Sequence, residues 1–293
     1  MQKKLCLDPA ESTVTSTRGL IYAIGGRESA EVLEPFVSHC GGSASRLIVL
    51  STASDEPERK ADQYRSSFRS LGVDNVSFLH PSSRADANAS DLMDEVDRAD
   101  GVFFTGGNQL KLVSTLGGTL FEAKLHQRHH AGLHLGGTSA GAAAMSAVMI
   151  ARGRGRSMAR LSSLRMSAGF GFLRNIIVDQ HFRERDRYGR LLAAVLCNPS
   201  MLGFGLDENT AFAVDTDNQV AVYGKGALTI VDGSGLEATD VDEVPNDMPA
   251  GFTGMRMHSL TAGWTYDLND RRGRQRQTLA STSVKLEPDI AQD

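Results

Sequence analysis

Five short apolar runs, each followed by a segment of helical pattern, constrain this chain more than any other feature. They are GLIYAIGG (19–26), SRLIVLSTAS (45–54), VSFLHP (76–81), GVFFTGG (101–107) and AGLHL (131–135). They are continuously apolar at their centres, so each reads as a strand covered on both faces. The segments between them fit helices: ESAEVLEPFVSHC, the charged DEPERKADQYRSSFRSLG, NASDLMDEVDRADG, and a stretch from Asn108 to His130. This alternation predicts an α/β fold with a mostly parallel sheet flanked by helices. Functional loops in such sheets sit at the carboxyl ends of the strands. Here Gly25-Gly26, Gly106-Gly107 and Gly136-Gly137 end three of the runs, where close backbone approach is useful.

The second half is less regular. FGFLRNIIVDQHF (170–182) holds a strand, and RERDRYGRLLAAVLCNP reads as a helix stopped at Pro199. LGFGLDENTAFAV, QVAVYG and ALTIVDG look like strands joined by short turns. The expected organisation is a polar tail over 1–18, one domain over 19–270 and a second polar tail over 271–293. Net charge is −4 over 293 residues, which disfavours nucleic acid as a partner. The three cysteines, Cys6, Cys40 and Cys197, form no CxxC pair, and no apolar run has the length of a signal peptide or a membrane span. A cytoplasmic protein is expected.

Gly137-Thr138-Ser139-Ala140-Gly141 fits G-x-S-x-G between a strand and a small-residue helix, AAAMSAVM. That context points to a nucleophile elbow, with Ser139 held on a strained turn. The amide of Ala140 is placed to donate to an oxyanion. A serine needs a base. His126, His129 and His130 in HQRHH read as a solvated helix face, and His134 as a packing residue. His181 ends an apolar run beside Asp179 and Gln180, and is the expected base. Asp207 and Glu208 both end a later run, and either could orient it. Arg183, Arg187 and Arg190 share one face of a helix leaving the base, with Arg185 off that stripe. Their guanidinium forks suit substrate carboxylates. An α/β-hydrolase runs serine, acid, histidine, so the order here belongs to a different fold.

GGTSAGA, DQHFRERDRYGRL and GFGLDENTA together resemble the cyanophycinases, serine peptidases of the family that includes aspartyl dipeptidase; IGG and FFTGGNQ match in place. The resemblance runs from about Gly19 to the 260s. It implies a fold like the class I glutamine amidotransferases. It implies Ser139 as nucleophile, His181 as base and Glu208 as third triad member, with the Gly107 amide joining Ala140 in the oxyanion hole. It further implies substrate contacts at Gln109, Asp179, Gln180, Arg185, Arg187 and Arg190. The implied substrate is cyanophycin, poly-aspartate with arginine on each side-chain carboxyl, cut to β-aspartyl-arginine without metal or cofactor by a homodimer. Alternatives are an aspartyl dipeptidase and a non-catalytic binding protein of the same fold. An amidotransferase would carry cysteine in place of Ser139.

Overall fold

The computed structural model describes residues 18–155 and 158–275. Strands and helices alternate through the first half: β1 (Ile21–Ile24), α1 (Ala30–His39), β2 (Leu47–Leu50), α2 (Pro57–Ser70), β3 (Val76–Leu79), α3 (Ser90–Arg98), β4 (Gly101–Phe104), α4 (Gln109–Leu116), α5 (Leu120–His130), β5 (His134–Thr138) and α6 (Ala140–Ala144). The second half gives β6 (Val148–Gly153), β7 (Leu164–Ala168), β8 (Ile176–Gln180), α7 (Tyr188–Cys197), β9 (Leu202–Leu206), β10 (Thr210–Val214), β11 (Gln219–Gly224), β12 (Leu228–Asp232), β13 (Ala238–Thr239), β14 (Phe252–Thr253), β15 (Arg256–Leu260), β16 (Trp264–Asp267) and β17 (Arg272–Gln275).

The main sheet runs β17-β16-β11-β10-β1-β5-β4-β2-β3. From β1 to β3 its pairings are all parallel, as the apolar runs predict. Alternate side chains divide between two cores. Ile21, Ala23, Ile48, Leu50, Val102 and Phe104 face one side, with α3, α4, α5 and α6. Tyr22, Ile24, Leu47, Val49 and Phe103 face the other, with α1 and α2. A strand with no wet face has no reason to alternate polar and apolar residues, which is why these runs are continuously apolar. From β1 outward through β10, β11, β16 and β17 the pairing turns antiparallel, and short turns join β10 to β11 and β16 to β17.

A second sheet, β15-β12-β9-β8, packs Ile176, Val178, Phe204 and Leu206 into the same core as α6. Its β8–α7–β9 unit is parallel. The chain then passes from β9 in this sheet to β10 in the main one through Asp207, Glu208 and Asn209.

Several local expectations change. The helix expected over 108–130 is two helices, separated at Gly117-Gly118. The helix after the elbow ends at Ala144, and Val148 and Met149 already belong to β6. HQRHH is not a solvated face: His129 is 3% exposed and packs its ring edge on Phe172. Residues 272–275 form β17, and Arg18 donates to the Asp215 carbonyl at 2.8 Å. The tails proper, 1–17 and 276–293, lie outside the described residues. Among the described residues no helix is long and apolar enough to cross a membrane.

Candidate active site

Ser139 stands between β5 and α6 with φ 51° and ψ −111°, a left-handed backbone for a residue with a side chain. Such strain persists only where neighbours fix it. Its amide donates to the Ile24 carbonyl at 3.0 Å, and its carbonyl accepts from Ala143 at 3.0 Å. A Cβ on Gly137 would meet Gly141 at 2.8 Å, which is why this strand and helix meet only through glycines. Ala140 is the first residue of α6, where a backbone N–H has no intrahelical acceptor.

His181 follows β8 and is also left-handed, φ 46°. Its amide donates to the Gly25 carbonyl at 2.9 Å. The Ser139 Oγ and His181 Nε2 lie 2.9 Å apart. On the other side of the ring, Nδ1 is 2.7 Å from Glu208 Oε1. Thus β5 in one sheet, β8 in the other and the link between the sheets each supply one member. The two acids that the sequence left open have separate roles. Asp207 is 4% exposed and accepts the amides of Arg183 and Ala227, both at 3.1 Å. Glu208 alone reaches His181, and its Oε2 meets Arg27 Nε at 3.2 Å. Burial lowers the His181 pKa below 6.5, against the Glu208 hydrogen bond, which raises it; Arg185 and Arg187 lower it further. The ring is therefore neutral at pH 7 and able to accept a proton.

Four of the expected substrate contacts bond one another. Asp179 is 1% exposed and takes the Arg190 fork, with Nε at 2.6 Å from Oδ2 and Nη2 on Oδ1. Arg190 Nη1 donates to the Gly153 carbonyl at 2.9 Å, so each nitrogen of this buried guanidinium makes a bond. Arg187 Nη1 donates to Asp179 at 3.2 Å and to both the carbonyl and the side-chain oxygen of Gln180. One buried carboxylate is thus shared by two guanidiniums, with Gln180 completing the contacts of Arg187. Arg183 and Arg185 are exposed. The expected helical stripe does not form: residues 183–185 make a separate turn, Asp186 is left-handed at φ 47°, and α7 starts only at Tyr188. Gln109 donates to the carbonyls of Ile150 at 3.0 Å and Ala151 at 2.9 Å, tying α4 to β6.

A groove of about 450 Å³ runs past Ser139 and His181 over Gly26, Gly106 and Gly107, with Ser54, Arg59 and Lys60 on its far wall. None of the six expected substrate contacts lines it. Glu28 lies in this groove, and in the sequence it reads only as a helix-start acid. It accepts from Thr138 Oγ1 at 2.8 Å and from Tyr64, which braces the residue before the elbow serine. Gly26 stands out in the sequence only as part of a Gly-Gly pair. Its φ is +111°, and a Cβ there would lie 2.7 Å from His181 Nε2. No local pattern in one sequence marks either role.

A description of Peptidase family S51 fits residues 21–222. Over 273 residues, 90% of this chain, the sequence is 35% identical to a cyanophycinase from Synechococcus elongatus, covering 84% of that protein. It is also 35% identical over 264 residues to a cyanophycinase from Nostoc sp., covering 88% of this chain and 89% of that one. A crystal structure of a peptidase from an acI-B1 Actinobacterium superposes with a TM-score of 0.64 at 22% identity, over 86% of this chain and 97% of the other, a likeness of fold. The family match covers both Ser139 and Glu208, and with it the whole set of contacts around His181: the chain belongs to peptidase family S51.

Proposed function

We propose that this chain is a serine exopeptidase that hydrolyses cyanophycin to β-aspartyl-arginine. The observation that carries the reading is the unbroken run of contacts Ser139–His181–Glu208, at 2.9 and 2.7 Å, on a left-handed serine. Relatives named cyanophycinase at 35% identity support the substrate.

In this reading Ser139 Oγ attacks the scissile carbonyl while His181 Nε2 takes its proton. The amides of Ala140 and Gly107 hold the developing oxyanion. The C–N bond breaks as His181 returns the proton to the leaving amine. Water, deprotonated by the same ring, then attacks the acyl-serine and releases the acid. Glu208 keeps Nδ1 protonated and Nε2 free to accept. The chemistry asks for no metal or organic cofactor. Each cyanophycin unit offers a carboxylate and a guanidinium. Arg185, exposed and near enough to His181 to lower its pKa, is the arginine this reading gives to the carboxylate, whereas Arg190, Asp179, Gln180 and Gln109 act by holding the structure around the base. A cytoplasmic homodimer goes with this reading, supported by the resemblance and, for the compartment, by Cys40 and Cys197, which are free among the described residues.

The test is incubation with insoluble cyanophycin and identification of the soluble product. β-Aspartyl-arginine is expected, and Ser139→Ala should lose about 10³-fold or more in turnover. Cleavage of short aspartyl peptides without release from the polymer would make the chain a dipeptidase instead.

A further inference from the structure

A cavity of about 380 Å³ lies at the opposite ends of the strands from Ser139. It sits where β1, β8 and β9 begin, at Ile21, Ile176 and Leu202. The other ends of these strands carry Gly25-Gly26, His181 and the Asp207–Glu208 link. At about 3.3 Å per residue, five residues of β8 put the cavity on the order of 16 Å from His181.

Its wall is cationic. Arg18, Arg174 and Arg271 line it with His126, His129 and His130, and no aspartate or glutamate does. Arg271 is neutralised by Asp232, with Nη1 at 2.5 Å from Oδ1. Arg18 and Arg174 meet no carboxylate among the described residues. Arg18 gives Nη2 to the Asp215 carbonyl at 2.8 Å, but its Nε is buried without an acceptor among the described residues. His129 is 3% exposed. Its Nδ1 bonds the Leu133 carbonyl at 2.9 Å, and its Nε2 is buried without a partner among the described residues. Leaving a buried polar group unpaired costs about 1–3 kcal/mol. Both residues line the cationic wall, and a small turn of either side chain would bring its orphaned atom to a ligand in the cavity.

We propose that this cavity binds a small oxyanion, a carboxylate or a phosphate-like group, through Arg18 Nε, His129 Nε2 and Arg174. Facing His129 are Arg18, its own-helix neighbours His126 and His130, and across the cavity Arg174 and Arg271. Burial first, and then Arg18, His130 and His126, hold the empty-site pKa of His129 at about 4. An anion among these groups offsets the cations and stabilises the proton on Nε2. Binding therefore takes up a proton and tightens as pH falls, by up to about tenfold per pH unit.

The experiment is calorimetric titration of the full chain with sulfate and, separately, with malonate, at fixed ionic strength against chloride. Sulfate keeps its charge between about pH 6 and pH 8, so any change of its affinity reports the protein. Saturable one-to-one binding is expected, tighter at the lower pH. Binding of sulfate but not malonate assigns the site to tetrahedral phosphate-like groups, and the reverse assigns it to carboxylates. Arg174→Glu, at an exposed position, should weaken binding at least about tenfold with an unchanged melting temperature. His129→Phe keeps the contact with Phe172 and should remove the pH dependence. No saturable binding of either anion by the wild-type chain, or wild-type affinity in Arg174→Glu, overturns the proposal.

Discussion

Replacing Gly26 by alanine tests the site through a position that does no chemistry. The new Cβ would sit 2.7 Å from His181 Nε2 and 2.9 Å from Nδ1, and nearer still to Cε1. Non-bonded heavy atoms settle at about 3.5 Å or more, and Cε1 is the nearest atom, so the ring must retreat by more than about 1 Å. That retreat stretches the 2.9 Å contact with Ser139 toward the limit of a hydrogen bond. Misplacement on this scale costs on the order of 10²-fold in kcat/KM. The backbone adds its own penalty, about 1–2 kcal/mol for a side chain in a left-handed conformation. Gly41 separates the two effects, because its φ is +112° and nothing lies within 4 Å of a Cβ there. Both variants should therefore melt about 2–8 °C lower than the wild type. Only Gly26→Ala should lose turnover on cyanophycin and labelling by a fluorophosphonate. The reasoning fails if Gly26→Ala hydrolyses the polymer at the wild-type rate, or if Gly41→Ala loses as much.

Arg190→Ala leaves the buried Asp179 carboxylate with Arg187 alone and should cost about 3 kcal/mol in denaturant unfolding. Arg185→Ala, exposed, should leave stability intact and lower kcat/KM on the polymer by roughly 10- to 150-fold, the value of one charge-assisted hydrogen bond; equal stability in both variants would reverse these roles. Because the His181 pKa is lowered, the acid limb of the kcat/KM profile should fall below pH 6.5. Glu208→Gln removes a contribution that raises this pKa, so the limb moves further acid as kcat drops, whereas Arg185→Ala moves it back; an acid limb above pH 6.5 contradicts the assignment. Asp207→Asn weakens the hold on the amides of Arg183 and Ala227 and should lower the melting temperature while sparing most of kcat.

The parallel half of the fold was legible because burial on both faces writes itself as continuous apolar runs. The elbow was legible for a related reason: a strand and helix in contact at Gly137 and Gly141 tolerate little else there. His181 could be picked out because it closes such a run. The arginines were misread because helical spacing takes no account of what lies across the strand end. Asp179 captures Arg190 from β8, and a left-handed Asp186 delays the helix that the periodicity began at Arg183. His129 looked solvated in HQRHH because the Phe172 that covers it comes from a distant stretch. Glu28 contacts Thr138, 110 residues away, a pairing that only the closed sheet creates.

The division of Ser139, His181 and Glu208 between two sheets and the link that joins them bears on synthesis. Contacts between groups 42 and 27 residues apart along the chain close late, since loop entropy is lost before they form. A chain leaving the ribosome N-terminus first presents its elbow serine long before β8 and β9 exist to carry the base and its carboxylate. The nascent chain thus passes through the period when it is unfolded, and crowded by other exposed polypeptides, as a latent protein. Hydrolytic competence arrives only with the docking of the second sheet, so completion of the fold is itself the activation step.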